Sequence, residues 1–227
     1  MRPRLVLADD HTLMLDGIRM VLQPHFDLIE TVQDGRSLLT AAAAIKPDAI
    51  LLDISMPVLN GIDAAHQLRK VAPSSKLIFV TMHADADYVT AAFRAGASGY
   101  VLKRSAASEL LIAIREVLRG HRYVSPAVTG DTLELLMNRP GAGGLFSSEL
   151  TPREREVLQM VAEGRTRKEI AATLAISIKT VEFHKTKLMQ KLHLRSSADF
   201  TLYAVRHGLI LSERLDPGSG SAEQEFS

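Results

Sequence analysis

The stretch Arg4-Leu5-Val6-Leu7-Ala8-Asp9-Asp10 decides the fold: four aliphatic residues behind an arginine, closed by two carboxylates. The pattern returns at Ala49-Ile50-Leu51-Leu52-Asp53, and comparable runs occupy Leu28–Val32, Lys76–Val80 and Gly99–Leu102. Runs this short and this apolar predict strands buried on both faces. Stretches of helical spacing lie between them: Leu110, Leu111, Ile114, Val117 and Leu118 fall at i, i+1, i+4, i+7 and i+8. Five βα units within residues 3–119 predict an α/β doubly wound domain with a parallel sheet.

Outward from that domain the pattern changes. Residues 120–148 read as a linker, with a weak helical stretch at Val128–Met137 followed by Asn138-Arg139-Pro140-Gly141-Ala142-Gly143-Gly144. From 149 to 214 no strand pattern remains. Thr151-Pro152-Arg153-Glu154 is a helix start, with Thr as N-cap, Pro at the first helical position and Glu three residues after the cap. That helix stops near Gly164. Helices over Arg167–Leu174, Ile178–Leu192 and Ser197–His207 complete a separate all-α domain. Residues 215–227, rich in Gly, Ser and Glu, read as a disordered tail. There are no internal repeats.

Composition narrows the function classes. A chain of 227 residues, 46% hydrophobic and 23% charged, suits two small globular domains. It has no cysteine, which excludes disulfides, cysteine nucleophiles and thiolate-bound zinc. No apolar run approaches the roughly 18 residues of a membrane span, and the N-terminus turns acidic too soon for a signal peptide. The expectation is a cytoplasmic protein with no membrane partner. Residues 1–119 carry 13 basic and 13 acidic side chains, whereas residues 149–214 carry 12 and 8. A polyanion would therefore meet the second domain.

In an open parallel sheet the working site lies at the carboxyl ends of the strands. Asp9 and Asp10 follow the first strand, Asp53 the third, Thr81 the fourth and Lys103 the fifth. Five polar residues from different strands at one edge are far more than solubilising loops require. Three clustered carboxylates repel unless a hard cation joins them, and Mg²⁺ prefers oxygen ligands. One Asp can then attack a phosphoryl group, with the metal and a lysine screening the transferring oxygens.

The motifs Leu-Ala-Asp9-Asp10-His, Leu-Leu-Asp53-Ile-Ser-Met-Pro57-Val-Leu-Asn-Gly61, Val-Thr81-Met-His and Gly96-Ala-Ser-Gly-Tyr100-Val-Leu-Lys103, in this order, resemble a response-regulator receiver domain. The resemblance covers residues 3–119. It implies that Asp53 is the phosphoacceptor of a sensor histidine kinase. It implies that Asp10, Asp53 and the Ser55 carbonyl ligate Mg²⁺ directly, with Asp9 acting mainly through water. It further implies that Thr81 bonds the phosphoryl group, that Lys103 pairs with it, and that Tyr100 turns inward as Thr81 moves. Arg104 follows Lys103 where many receivers carry a cis proline, so that loop's geometry is not carried over. His83, near the site by position, reads as an access or partner residue, because hard Mg²⁺ disfavours imidazole.

On a helical wheel for Ile178–Leu192 with Val181 at zero, Leu188 and Leu192 share the buried stripe. Ile178 and Lys185 fall toward that side, where Lys185 can snorkel to a phosphate. Lys179, Thr186, Gln190 and Phe183 face outward, flanked by Glu182 and Lys187. A face mixing cations, amides, hydroxyls and an aromatic suits the major groove. The candidate DNA contacts are Lys179, Thr180, Glu182, Phe183, Lys185, Thr186 and Lys187. His184 reads as a half-buried positioning residue.

The motifs Leu150-Thr-Pro-Arg-Glu-Arg-Glu-Val157, Gly164-Arg-Thr-Arg-Lys-Glu-Ile170-Ala171 and Leu174-Ala-Ile-Ser-Ile-Lys-Thr180-Val181-Glu-Phe-His184 are similar to the LuxR-type helix-turn-helix, and the whole chain to the NarL/FixJ class of transcription regulators. The resemblance implies a helix-turn-helix over about 167–186 and a dimer contact from the fourth helix. Its implied partners are double-stranded promoter DNA, RNA polymerase and, on activation, a second copy of the chain. Some relatives carry a base-reading Lys at the position of Glu182. A carboxylate there cannot read guanine but can accept from cytosine N4.

Three rivals fit less well. A haloacid-dehalogenase-like phosphatase needs Asp-x-Asp after the first strand, and here that place reads Asp9-Asp10-His11 with no cap insertion. A ligand-sensing LuxR-type receptor is aromatic-rich at its N-terminus, whereas this chain has 5% aromatics and no Trp. A constitutively dimeric regulator independent of phosphorylation has no need of all five pocket residues.

Overall fold

The computed structural model describes residues 1–105, 107–128 and 150–210. It divides into two compact units, Met1–Ser147 and Ser148–Ser227. The expected helical stretch after Val128, the glycine-rich linker and the tail lie outside the described residues.

In the first unit, β1 (Arg4–Ala8), β2 (Asp27–Val32), β3 (Ala49–Leu52), β4 (Lys76–Thr81) and β5 (Ala97–Leu102) alternate with α1 (Thr12–Leu22), α2 (Gly35–Ile45), α3 (Gly61–Val71), α4 (Ala86–Ala95) and α5 (Ala107–Leu118). The sheet is wholly parallel, in the order β2-β1-β3-β4-β5, with a further two-residue strand beyond β5. Period-two alternation gives β1, β3, β4 and β5 two buried faces, whereas β2, expected to be buried on both, is mostly exposed because it is an edge strand. Val6, Ala8, Ile50, Leu52 and Phe79 pack on α2, α3 and α4 through Leu38, Ile62, Leu68 and Val89. Leu5, Leu7, Leu51, Ile78 and Val80 pack on α1 and α5 through Leu15, Ile18, Leu110 and Ile114.

The sixth strand, β6 (Tyr123–Val124), pairs parallel to β5 at Gly99 and Tyr100. Alternation does not reveal so short an element. After it the Ser125 N–H donates to the Tyr100 carbonyl at 2.8 Å, and Val128 is buried in the core.

The second unit is α6 (Pro152–Ala162), α7 (Arg167–Leu174), α8 (Ile178–Leu192) and α9 (Ser197–Arg206). Thr151, Thr166 and Ser196 each close a reciprocal capping box, with Glu154, Glu169 and Asp199 respectively. The turn between α7 and α8 passes through Ala175 in the left-handed region, at φ 51°. Val157, Leu158, Ile170, Leu174, Val181, Leu188 and Phe200 are the buried apolar residues that join the four helices.

Candidate functional site

The carboxyl edge of the sheet is assembled by backbone bonds between neighbouring strands. The Asp9 N–H donates to the Val32 carbonyl at 3.1 Å and the Asp53 N–H to the Ala8 carbonyl at 2.9 Å. The Lys103 N–H donates to the Thr81 carbonyl at 2.8 Å. With the parallel pairing of β3 and β4, these bonds hold the ends of β1, β3, β4 and β5 side by side.

Lys103 sits at the centre. Its side chain is 3% exposed, and Nζ lies 2.7 Å from Asp9 Oδ2 and 2.9 Å from Asp53 Oδ2. Burial alone disfavours its charge, but the Asp53 and Asp9 carboxylates outweigh that and raise its pKa. Asp53 Oδ1 accepts from the Ile54 N–H at 2.7 Å. Asp10 is half-buried beside them.

His11, to which no role falls in the sequence reading, joins this cluster. Its Nδ1 lies 3.1 Å from both Asp9 Oδ1 and Asp10 Oδ1. One ligand atom from each of Asp9, Asp10, His11 and Asp53 falls within 4.8 Å of the others. Three carboxylates at chelating distance fit a hard divalent cation such as Mg²⁺.

Thr81 is fully buried at the end of β4, where its Oγ1 accepts from the His83 N–H at 3.4 Å. Ser55 Oγ lies 3.0 Å from His83 Nε2, and the His83 ring stacks on Tyr88 with centroids 4.0 Å apart. His83 therefore ties the loop after β3 to α4. Tyr100 lies on the inside, fully buried and stacked on Phe79. Its hydroxyl donates to the His83 carbonyl at 2.9 Å, which satisfies the polar end and allows the ring to stay there. Burial, followed by the Asp53 charge, pushes its phenol above the ordinary range. The Lys103–Arg104 peptide is trans.

Two glycines set the spacing of the pocket. A Cβ on Gly61 would lie 2.0 Å from the Asp53 carbonyl oxygen, and one on Gly35 2.1 Å from that of Leu59. Both glycines open helices, α3 and α2, that press against the loop after β3.

In the second unit α8 presents Lys179, Glu182, Phe183, Thr186 and Lys187 to solvent, with Thr180 and Lys185 half-buried. Phe183 is 64% exposed. Two wheel assignments are corrected. Ile178 is 44% exposed, because it is the first residue of the helix and lies beyond the reach of α6 and α7. Leu192 is only half-buried, in the last turn. Lys185 places Nζ over the Phe200 ring, 5.9 Å from its centroid. His184 is half-buried, as expected.

The sequence reading assigns Glu154 only a cap. It is 1% exposed and is bound by Lys187 at 2.9 Å and Lys191 at 3.0 Å, while Oε2 also accepts from the Thr151 N–H at 2.9 Å. Burial resists its charge, but the Lys187, Thr151 and Lys191 bonds prevail and hold the carboxyl at about 2. Arg167, which the sequence reading gives only as a helix start, pairs with Glu182 at 2.6 Å.

An α/β domain with an acid-and-lysine pocket, joined to a capped helix-turn-helix, is the build of a signal-responsive transcription regulator. Residues 5–115 match the response regulator receiver domain, and residues 148–204 match the bacterial regulatory proteins of the luxR family. The chain is 34% identical over 214 residues to the oxygen regulatory protein NreC of Staphylococcus carnosus, covering 91% of this chain and 99% of that protein. It is 36% identical over 209 residues to the transcriptional regulatory protein MctR of Rhizobium johnstonii, covering 91% and 95%. Among solved structures, RcsB of Salmonella enterica serovar Typhimurium, bound to promoter P1flhDC in the presence of phosphomimetic BeF3⁻, is 28% identical with a TM-score of 0.54, covering 89% of this chain and 98% of that one. This protein therefore belongs to the two-component response regulators that carry a LuxR-type helix-turn-helix. Among the described residues no helix is long and apolar enough to cross a membrane.

Proposed function

We propose that a sensor histidine kinase phosphorylates this protein on Asp53, and that the phosphorylated chain dimerises and binds promoter DNA in the cytoplasm, where it meets RNA polymerase. Residues 3–119 act as the receiver together with β6 and Val128, which pack on the same sheet and core, the remainder of 120–148 as the linker and 149–214 as the DNA-binding domain. The observation that carries this reading is Lys103, buried between Asp9 and Asp53 at the carboxyl edge of the sheet.

An oxygen of Asp53 attacks the phosphorus of a phosphohistidine. The P–N bond breaks, and the leaving imidazole takes up a proton. Lys103 is already in place to pair with the incoming phosphoryl oxygens, and the Thr81 hydroxyl donates to one of them. Asp9, Asp10, Asp53 and the Ser55 carbonyl would hold Mg²⁺, which supplies charge screening of the transferring oxygens. Lys179, Thr180, Glu182, Phe183, Lys185, Thr186 and Lys187 form the DNA-facing set. DNA-bound RcsB supports the overall placement, and the exposed face of α8 supports these residues.

Incubation of the full chain with acetyl phosphate and Mg²⁺ tests the pocket. Wild type gains one phosphate-sized mass in intact-protein spectrometry, whereas Asp53→Asn gains none and wild type in EDTA gains little. Equal labelling of Asp53→Asn overturns the assignment.

A further inference from the structure

The ion pair between Arg167 and Glu182 has no part in the proposal above. Arg167 opens α7 and Glu182 lies in the second turn of α8, so the pair joins the two helices of the helix-turn-helix on their solvent side. The side chains are 58% and 51% exposed. An exposed pair of this kind contributes little to stability in water. The helix is held in any case by its Ser177 cap and by buried Val181 and Leu188. The pair therefore calls for a reason other than folding.

Glu182 shares its part of the helix surface with Lys179, three residues before it, and Thr186, four after. A bare carboxylate there has the wrong sign to approach a polyanion. Arg167 changes that in two ways. It offsets the charge, and it engages Oε1, which biases the direction of the side chain and leaves Oε2 as an acceptor. Among the described residues Oε2 has no other partner. An acceptor oriented in this way matches the N4 amino group of cytosine. It is repelled by guanine O6 and N7, by thymine O4, and by the N7 beside the adenine amino group.

We infer that Arg167 and Glu182 act as one reader of a cytosine in each half-site. Glu182 accepts from N4, and Arg167 is the positioning residue that biases its direction and offsets its charge. Base preference is then set from α7 as well as from α8. This rests on the DNA-binding reading above.

The full chain, activated with beryllofluoride and Mg²⁺, is used to enrich binders from a randomised duplex pool. The enriched site is then competed at fixed salt against duplexes altered one base pair at a time. Wild type should favour C·G at one position per half-site by about tenfold. Glu182→Gln should move that preference to A·T, since a carboxamide pairs with adenine N6 and N7. Arg167→Ala should shrink the cytosine preference several-fold there, leave other positions unchanged, and add nothing at that position on top of Glu182→Gln. Far-UV circular dichroism and retained labelling of Asp53 confirm that the variants fold. A loss in Arg167→Ala that is equal across all duplexes makes Arg167 a plain phosphate contact and overturns the inference. So does a wild type that binds without a cytosine preference. A wild type that binds no duplex even at low salt overturns the DNA-binding reading and this inference with it.

Discussion

Lys103 and Glu154 face the same problem with opposite signs. Each is a buried charge, which is tolerable only when countered. Lys103 is countered by Asp9 and Asp53, and Glu154 by Lys187, Lys191 and the Thr151 amide. The Glu154 carboxyl, ordinarily near 4.5, is held at about 2 in the folded chain. A depressed folded pKa stabilises above the unfolded value and ceases to do so as pH falls through the folded one. The contribution, on the order of 3 kcal/mol, is full above about pH 5 and is lost between roughly pH 4.5 and pH 2. Glu154→Gln should therefore destabilise α6 and α8 near neutrality and much less near pH 3. Hydrogen exchange of both full-length proteins at the two pH values checks this, and a penalty that does not vary with pH refutes it. Lys187 consequently has an internal duty, which its outward place on a wheel hides.

At the level of elements the decisive contact is the one Gly61 makes with the Asp53 backbone. Gly61→Ala places a methyl carbon on the Asp53 carbonyl, so α3 or the loop after β3 must shift. A cost of about 1–3 kcal/mol is expected, together with slower acetyl-phosphate labelling. Chemical denaturation and labelling rates measure both, and a variant as stable and as reactive as wild type contradicts the packing argument. The strands themselves were legible in the residues: β1 and β3 match their apolar runs to the residue, and α7 and α8 end where they were read. Doubly buried strands and capped helices write their limits into local composition. β6 does not, because two residues carry no period. The carboxylates and Lys103 were legible because each follows a strand, and the sheet brings strand ends together. His11, Arg167 and the burial of Glu154 were not, because each depends on a residue distant in sequence or on a side-chain direction.

For the molecule as a whole, three side chains, Tyr100, Ser55 and Tyr88, gather around one segment at the carboxyl edge of the sheet. The Tyr100 ring is buried, and the segment beside it, from Thr81 to His83, is held by all three. Under the proposed phosphorylation of Asp53, a phosphoryl group drawing the Thr81 hydroxyl would pull on that segment and reshape the surface at α4, a local charge event biasing a two-state element. In sedimentation velocity, beryllofluoride should shift wild type toward dimer and Thr81→Ala much less. A wild type that stays monomeric and yet gains DNA affinity rules out dimerisation as the route. Such assays are commonly done on trimmed fragments, and here β6 matters. Cutting after Arg119 removes Tyr123–Val124 and the Ser125 amide that caps the Tyr100 carbonyl. The flank of β5 is then an open hydrogen-bonding rail, the kind of raw margin that recruits neighbouring chains indiscriminately. A fragment trimmed there would clump for reasons unrelated to signalling, and carrying the cut beyond Val128 keeps the margin sealed.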